Sequence, residues 1–367
     1  MSRTDSFKQR LDAEGAEWTS WRGSEVVRHF GDPDKEYRAV REGGLGLVDH
    51  SWRETLVVTG SDSVQWLQGL VTSDLFALAE EGSGQQTTVV NNVSRLIAEA
   101  RVLHIPELLV LDLEPGVLDD GLMSHLRRHI ITEDVALLDR SEATARLGLF
   151  GEDAAALLDE LCDTEHQVSS LGQFEGTWGM LGGEEVVIQR VPWSGGPGFD
   201  IAAPSEAAAG LWELLLSADA QADNGVEPVG FETLETLRIE AGVPRFGKEL
   251  TEKRIPLETG LDDAVSFTKG CYLGQEIIAR LDTRGTPARL LRTLVLEAGA
   301  APREGSDIEV DERSVGEVIS SIWSPQAARP IALGYVKRKH NDIGTEVYVE
   351  GRPARVEALG WPLQAQS

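Results

Sequence analysis

The chain has 367 residues, 41% of them hydrophobic and 26% charged, so it is globular and too long for one ordinary core. Its net charge is −27, from 61 acids against 34 bases, and Arg far outnumbers Lys. That surface excludes direct nucleic-acid binding and docking on anionic membranes, since the basic runs RPARV and VKRKH are too short to form a patch. The acidic excess with scarce lysine suggests a proteome adapted to high salt. The N-terminal MSRTDSFKQRLDAEG lacks an apolar signal core, and no run approaches the ~18 residues of a membrane span. A cytoplasmic location is expected.

Residues 5–16 read as a short amphipathic helix. Asp32 is the expected N-cap of the next, with Pro33 in its first turn and Gly43-Gly44 as the stop. The alternation around Leu56, Val57 and Val58 predicts a strand, and Ser61 or Ser63 is expected to cap a helix carrying Val64, Leu67 and Leu70. TTVVNN and ELLVLDLE are β segments, with RLIAEARVLHI between them. His125 and His129 lie four apart on a predicted helix. That spacing suits zinc, but no third ligand or HExxH accompanies it, so a solvated helix face is expected and no metal. ATARLGLFGEDAAALLDEL repeats the rhythm of LVVTGSDSVQWLQGL, a strand, a Gly-acid turn and a helix, which suggests a duplicated α+β domain. FGEDA lacks the G-x-G-x-x-G of a dinucleotide site.

In VVIQRVPWSGGPGFDIAAP a strand enters a glycine-rich loop, Trp193 to Gly198, and leaves along Phe199-Asp200-Ile201. This is either a plain hairpin connection or a ligand wall, with Gly195 allowing close approach and Trp193 giving a stacking face. Glu240, in LRIEAG, is either an acceptor for a backbone turn or a pocket wall.

The most informative stretch is VSFTKGCYLGQEIIAR, Val265 to Arg280. Val265, Phe267 and Thr268 read as the end of a strand, Gly270 as a turn with positive φ, and the helix as starting near Tyr272. Cys271 is then expected at a strand-to-helix turn beside unpaired N–H groups, where a thiolate is stabilised. Lys269 adds a cation, and Glu276 opposes it. The other cysteine, Cys162, falls late in a predicted helix beside Asp159, Glu160 and Asp163, which disfavour thiolate. The two cysteines match no metal-ligand spacing, and free thiols fit a reducing compartment.

KGCYLGQE closely resembles the signature of the YgfZ family of folate-binding proteins, members of the superfamily of the glycine-cleavage T-protein (aminomethyltransferase). The resemblance covers nearly the whole chain and is weakest in the first forty residues. In T-proteins a Gly-Gly-x-x-Asp-Asp run carries a catalytic carboxylate. Counted back from Val102, its two acidic positions fall on Ala98 and Glu99. The T-protein run R-T-G-Y-T-G-E-D-G-F-E-I is matched at Arg190, Gly195, Gly198, Phe199 and Ile201. Trp193 there replaces Tyr, and Asp200 replaces the Glu that binds the pterin edge. A further T-protein arginine corresponds to Leu234.

After Arg280, short segments with turn signals predict an antiparallel barrel or sandwich of about 75 residues. The resemblance implies an α+β architecture of two ferredoxin-like, T-protein-type domains and a C-terminal antiparallel β-barrel around a central folate channel. The expected domains are residues 1–50 with 141–240, residues 51–140 with 241–288, and residues 289–367. The implied function is tetrahydrofolate binding in support of iron–sulphur cluster assembly or repair, with assembly or client proteins as partners. Cys271 would be the functional thiol and Lys269 its electrostatic partner, while Gly270, Gly274, Gln275 and Glu276 shape the motif. Trp193, Gly195, Asp200, Asp112 and Glu240 are the folate-binding candidates. The alternatives are a tetrahydrofolate-dependent aminomethyltransferase and a non-enzymatic accessory factor for tRNA modification.

Overall fold

The computed structural model describes residues 4–78, 80–218 and 225–361, with backbone alone at 282–284. The chain forms two compact units. One is Met1–Thr87, Glu99–Pro192 and Gly196–Leu234; the other is Thr88–Ala98, Trp193–Gly195 and Glu235–Ser367.

In the first unit a seven-stranded sheet runs in the order Cys162–Thr164, Gly176–Leu181, Glu184–Arg190, Gly198–Pro204, Thr144–Phe150, Leu45–Asp49, Val226–Val229. Neighbours are antiparallel, except that Val226–Val229 lies parallel to Leu45–Asp49. Successive side chains on a strand point to opposite faces. One face therefore presents Leu147, Leu149, Ile188 and Ile201, which pack on Leu157, Leu158, Leu211 and Trp212 of helices Ala154–Leu161 and Ala208–Ser217. Phe7 and Leu11 of helix Asp5–Ala13 complete that core. The other face carries Arg146, Gln189 and Asp200, all buried.

A five-stranded sheet has the order Gly84–Val90, Leu96–Ile105, Leu108–Leu113, Glu54–Thr59, Ala136–Asp139. RLIAEARVLHI, between the two β segments read from sequence, forms its longest strand. The apolar face includes Leu56, Val58, Val102, Leu109 and Leu111. The opposite face carries Thr55, Glu99, Arg101 and Asp112, with Arg101, Asp112 and Thr55 in register across three strands.

Asp32 caps helix Pro33–Arg41, accepting the N–H of Asp34 and of Lys35 at 3.1 Å each. The next helix departs from expectation. Asp62 stands at its N-cap position, and the Ser61 hydroxyl instead donates to Asp134 at 2.9 Å.

In the second unit the strands Arg289–Leu296, Arg329–Lys337, Arg313–Ser324, Asp307–Val310, Glu346–Val349 and Arg352–Glu357 close into an antiparallel barrel. Leu294, Val318, Val336, Val347 and Val356 fill it. Ile239, in the later part of helix Phe231–Ala241, packs on Leu291, Val295 and Leu333 outside that filling. In the same turn the buried Arg238 donates twice to Glu235 at 2.7 Å and once to Glu249 at 3.1 Å. Among the described residues no helix is long and apolar enough to cross a membrane.

Candidate functional site

The polar faces of the two sheets in the first unit meet in a buried ion cluster. Arg53, just after the turn that ends Leu45–Asp49, donates to Asp112 at 2.7 Å and also to Glu114. Arg101 donates to Asp200 at 3.2 Å and lies 3.2 Å from the second oxygen of Asp112. His50 Nδ1 is 2.8 Å from Asp200. Arg146 Nε is 3.5 Å from Asp112, and its Nη2 donates to Thr55 at 3.2 Å. Charges so far from water persist only when paired. Burial alone would raise the Asp200 pKa; His50 first, then Arg101 and Arg146, outweigh it and hold the carboxylate well below its ordinary range. Asp112 is likewise lowered, with Arg146, Arg53 and Arg101 outweighing burial.

Glu99 shares this face, while Ala98 points into the opposite, apolar side. Burial raises the Glu99 pKa despite Arg101 and Arg53, and Gln86 donates to its carboxyl at 2.8 Å.

Beside the cluster, between the two sheets, lies a cavity of about 750 Å³. Val57, Leu103, Val110 and Val187 give it apolar walls, and Asp112 and Arg146 reach it. The second Asp112 oxygen and the Arg146 Nε are buried and are held by ion pairs, to Arg101 at 3.2 Å and to Asp112 at 3.5 Å. The size of the cavity suits a small ligand. Asp112, and not Asp200, lines this cavity. Asp200 is fully buried, with His50 at 2.8 Å and Arg101 at 3.2 Å. Sequence reading missed His50, Arg53, Arg101 and Arg146. The available signal was Arg101 alternating with Ala100 and Val102, a charge on the side of a strand that alternation leaves polar.

The second unit holds the remaining candidates. The stretch before the cysteine is not a strand: after the turn Asp262–Ala264 the chain is irregular as far as Gly274, and helix Gln275–Arg284 begins there. Gly270 does not take positive φ. Gly274 does, at 81°, and a Cβ on it would lie 2.3 Å from the Asn91 carbonyl oxygen. Gln275 accepts the Tyr272 N–H at 3.0 Å, and Tyr272 packs with Val265 and Ile278. Lys269 Nζ sits 5.0 Å from the Tyr272 ring centre, and Glu276 pairs with Arg280 at 3.2 Å. Cys271 is exposed. Trp193 is buried with the Arg245 guanidinium 4.9 Å over its ring, so that face is occupied. Gly195 is exposed with φ 73°. Glu240 accepts the Ser324 hydroxyl at 2.5 Å and the Gln326 N–H at 3.3 Å, tying the end of its helix to a barrel strand.

The His125 and His129 rings lie 4.8 Å apart between centres, tilted at 51°, with a hydrogen bond of 2.7 Å between the His129 ring and the His125 carbonyl. Burial, then His129, pushes the His125 pKa down to about 4. Among the described residues no group of three or more His, Cys, Asp or Glu is arranged to hold a metal.

The family described as GCVT N-terminal domain matches residues 7–269, and the glycine cleavage T-protein C-terminal barrel domain matches residues 289–361. The chain is 32% identical to an aminomethyltransferase of Geobacillus kaustophilus, over 98% of this chain and 96% of that protein. It is 30% identical to an aminomethyltransferase of Symbiobacterium thermophilum, over 99% and 97%. The fold is that of the glycine cleavage system aminomethyltransferase T from Bartonella henselae, with TM-score 0.87 and 24% identity over 98% of each chain.

Proposed function

The chain belongs to the glycine-cleavage T-protein superfamily, and we propose that it is a tetrahydrofolate-dependent protein of aminomethyltransferase type, working in the cytoplasm. The cavity reached by Asp112 and Arg146 carries this reading. A pterin ring offers both donors and acceptors along one edge, and the apolar walls suit its faces. Glu99 supplies a carboxyl near the position of the family's acidic pair, biased toward the protonated form by burial. The full-length likeness to aminomethyltransferases supports transfer chemistry over a purely accessory role.

Saturating tetrahydrofolate should raise the melting temperature; at 100 times Kd the stabilisation is ~2.7 kcal/mol. Val187→Trp fills the cavity without touching the ion cluster and should abolish that rise. With an aminomethylated lipoyl carrier, Glu99→Gln should slow turnover by about 10²-fold, the usual scale of a lost general acid or base. No thermal shift in the wild type, or an undiminished shift in Val187→Trp, rejects this placement of the folate.

A second reading has one specific observation in its favour, the exposed Cys271 within KGCYLGQE. On this reading the protein is of the YgfZ type and supports iron–sulphur cluster assembly or repair through that thiol. Cys162 serves as an internal control. It begins the strand Cys162–Thr164, and burial, then Asp159, pushes its thiol up to about 12. Limited alkylation with iodoacetamide near pH 7 should label Cys271 well before Cys162. Cys271→Ser should keep the fold yet fail to rescue cells lacking the protein. Full rescue would leave Cys271 as a surface residue.

The acidic excess also supports an origin in high salt. Repulsion among surface carboxylates is long-ranged when the Debye length is ~30 Å, at 0.01 M salt. Melting temperature should therefore climb as KCl rises toward molar levels, and a flat curve argues for an ordinary acidic protein.

A further inference from the structure

A smaller cavity of about 270 Å³ lies beside the barrel strands of the second unit. Arg254, Arg289, Lys337, Tyr335, Asp307 and Glu317 line it. Arg254 is only 8% exposed, and its guanidinium lies 3.8 Å from the Tyr335 ring centre. Stacking occupies the face of a guanidinium and leaves its N–H edge for another group. Yet among the described residues no carboxylate lies within 4.0 Å of Arg254, and no acceptor takes its side-chain N–H groups. The other deeply buried arginines, Arg53, Arg101, Arg146, Arg238 and Arg245, each have a carboxylate partner. Arg254 is thus a buried cation at a cavity, with Glu258 and Glu317 near enough to act on its charge but beyond ion-pair distance.

The neighbouring charges narrow the choice of ligand. Arg289 has Glu258 at 3.8 Å, and the Lys337 ammonium donates to the Ser314 carbonyl at 2.8 Å. Of these three cations Arg254 alone is buried. Strand register places Asp307 opposite Glu317 and Glu317 opposite Tyr335, so two carboxylates follow the stacked ring along one row of the sheet. Those acids repel a dianion such as phosphate and attract a cation. The geometry points to a binding site for a small amino acid as its zwitterion, with the carboxylate on Arg254 and the ammonium at Glu317 and Asp307. This site is independent of the folate cavity.

Titration calorimetry of the full chain tests it, with L-alanine, acetate, ethylammonium and inorganic phosphate as probes. L-alanine should bind the wild type at least tenfold more tightly than any of the other three. Arg254→Met should weaken L-alanine at least tenfold. Its ligand-free melting temperature should not fall, because Met keeps the packing on Tyr335 and removes an unpaired buried charge. Glu317→Gln should weaken L-alanine and leave acetate unchanged. Equal L-alanine binding by the wild type and Arg254→Met overturns the assignment. So does phosphate binding as tight as that of L-alanine, no L-alanine binding at all, or an Arg254→Met protein that melts well below the wild type.

Discussion

Asp200→Asn lowers the free energy of unfolding by about 3 kcal/mol at pH 7, toward the lower end of what breaking a buried ion pair costs. The carboxylate is fully buried, and the substitution removes its negative charge from between His50 and Arg101. The pH dependence has a definite sign. The folded-state pKa of Asp200 is depressed, so its contribution is present above the unfolded value of about 3.9 and is lost as pH falls below it. The gap between wild type and Asp200→Asn should therefore narrow from pH 7 to pH 3 in urea titrations. A gap that stays constant across that range would mean the aspartate is not ionised in the cluster.

Arg238→Met has an effect of similar or larger size, about 3–5 kcal/mol, in the other unit. It leaves Glu235 with Arg245 as its remaining ion-pair partner and takes the ion pair from Glu249, which is fully buried. Burial would raise the Glu235 pKa, but Arg238 and Arg245 bring it down to about 2. Wild-type stability from this group is present above the unfolded Glu value of about 4.3 and fades as pH falls toward 2. Adding Glu249→Gln to Arg238→Met should recover part of the loss, because it removes one stranded charge. Simple additivity of the two substitutions would show that Arg238 and Glu249 are not coupled.

Much of the local structure is legible without coordinates. Asp32-Pro33 is a helix start by composition alone, and the strand pairs around Trp193–Gly198 and the barrel strands follow from alternation and turn residues. The cluster is not legible in the same way. His50, Arg53, Arg101, Asp112, Arg146 and Asp200 are spread over 150 positions, and only the facing of two sheets brings them together. Asp112 and Asp200 were both candidates for holding a ligand. Nothing along the chain distinguishes the carboxylate that lines a cavity from the one sealed by His50. The choice between Gly270 and Gly274 for the left-handed turn was equally invisible. It depends on Asn91, whose carbonyl would collide with a side chain at Gly274.

The way Thr88–Ala98 is anchored sets a timing problem for the nascent chain. Leu96 N–H bonds to the Arg254 carbonyl, Arg95 to the Lys253 carbonyl, and the Ser94 hydroxyl to the Gly274 carbonyl in the cysteine loop. All three acceptors leave the ribosome more than 150 residues later, an interval on the order of ten seconds. Val90, which lies against Gly274, and Leu96, which bonds to Arg254, are fully buried in the finished protein and cannot complete these contacts before then. A short apolar β-forming segment exposed for that long is the part of this chain most open to misassociation. A translational pause or a bound holdase would matter most there, and the cysteine loop cannot be set in place until that wait has ended.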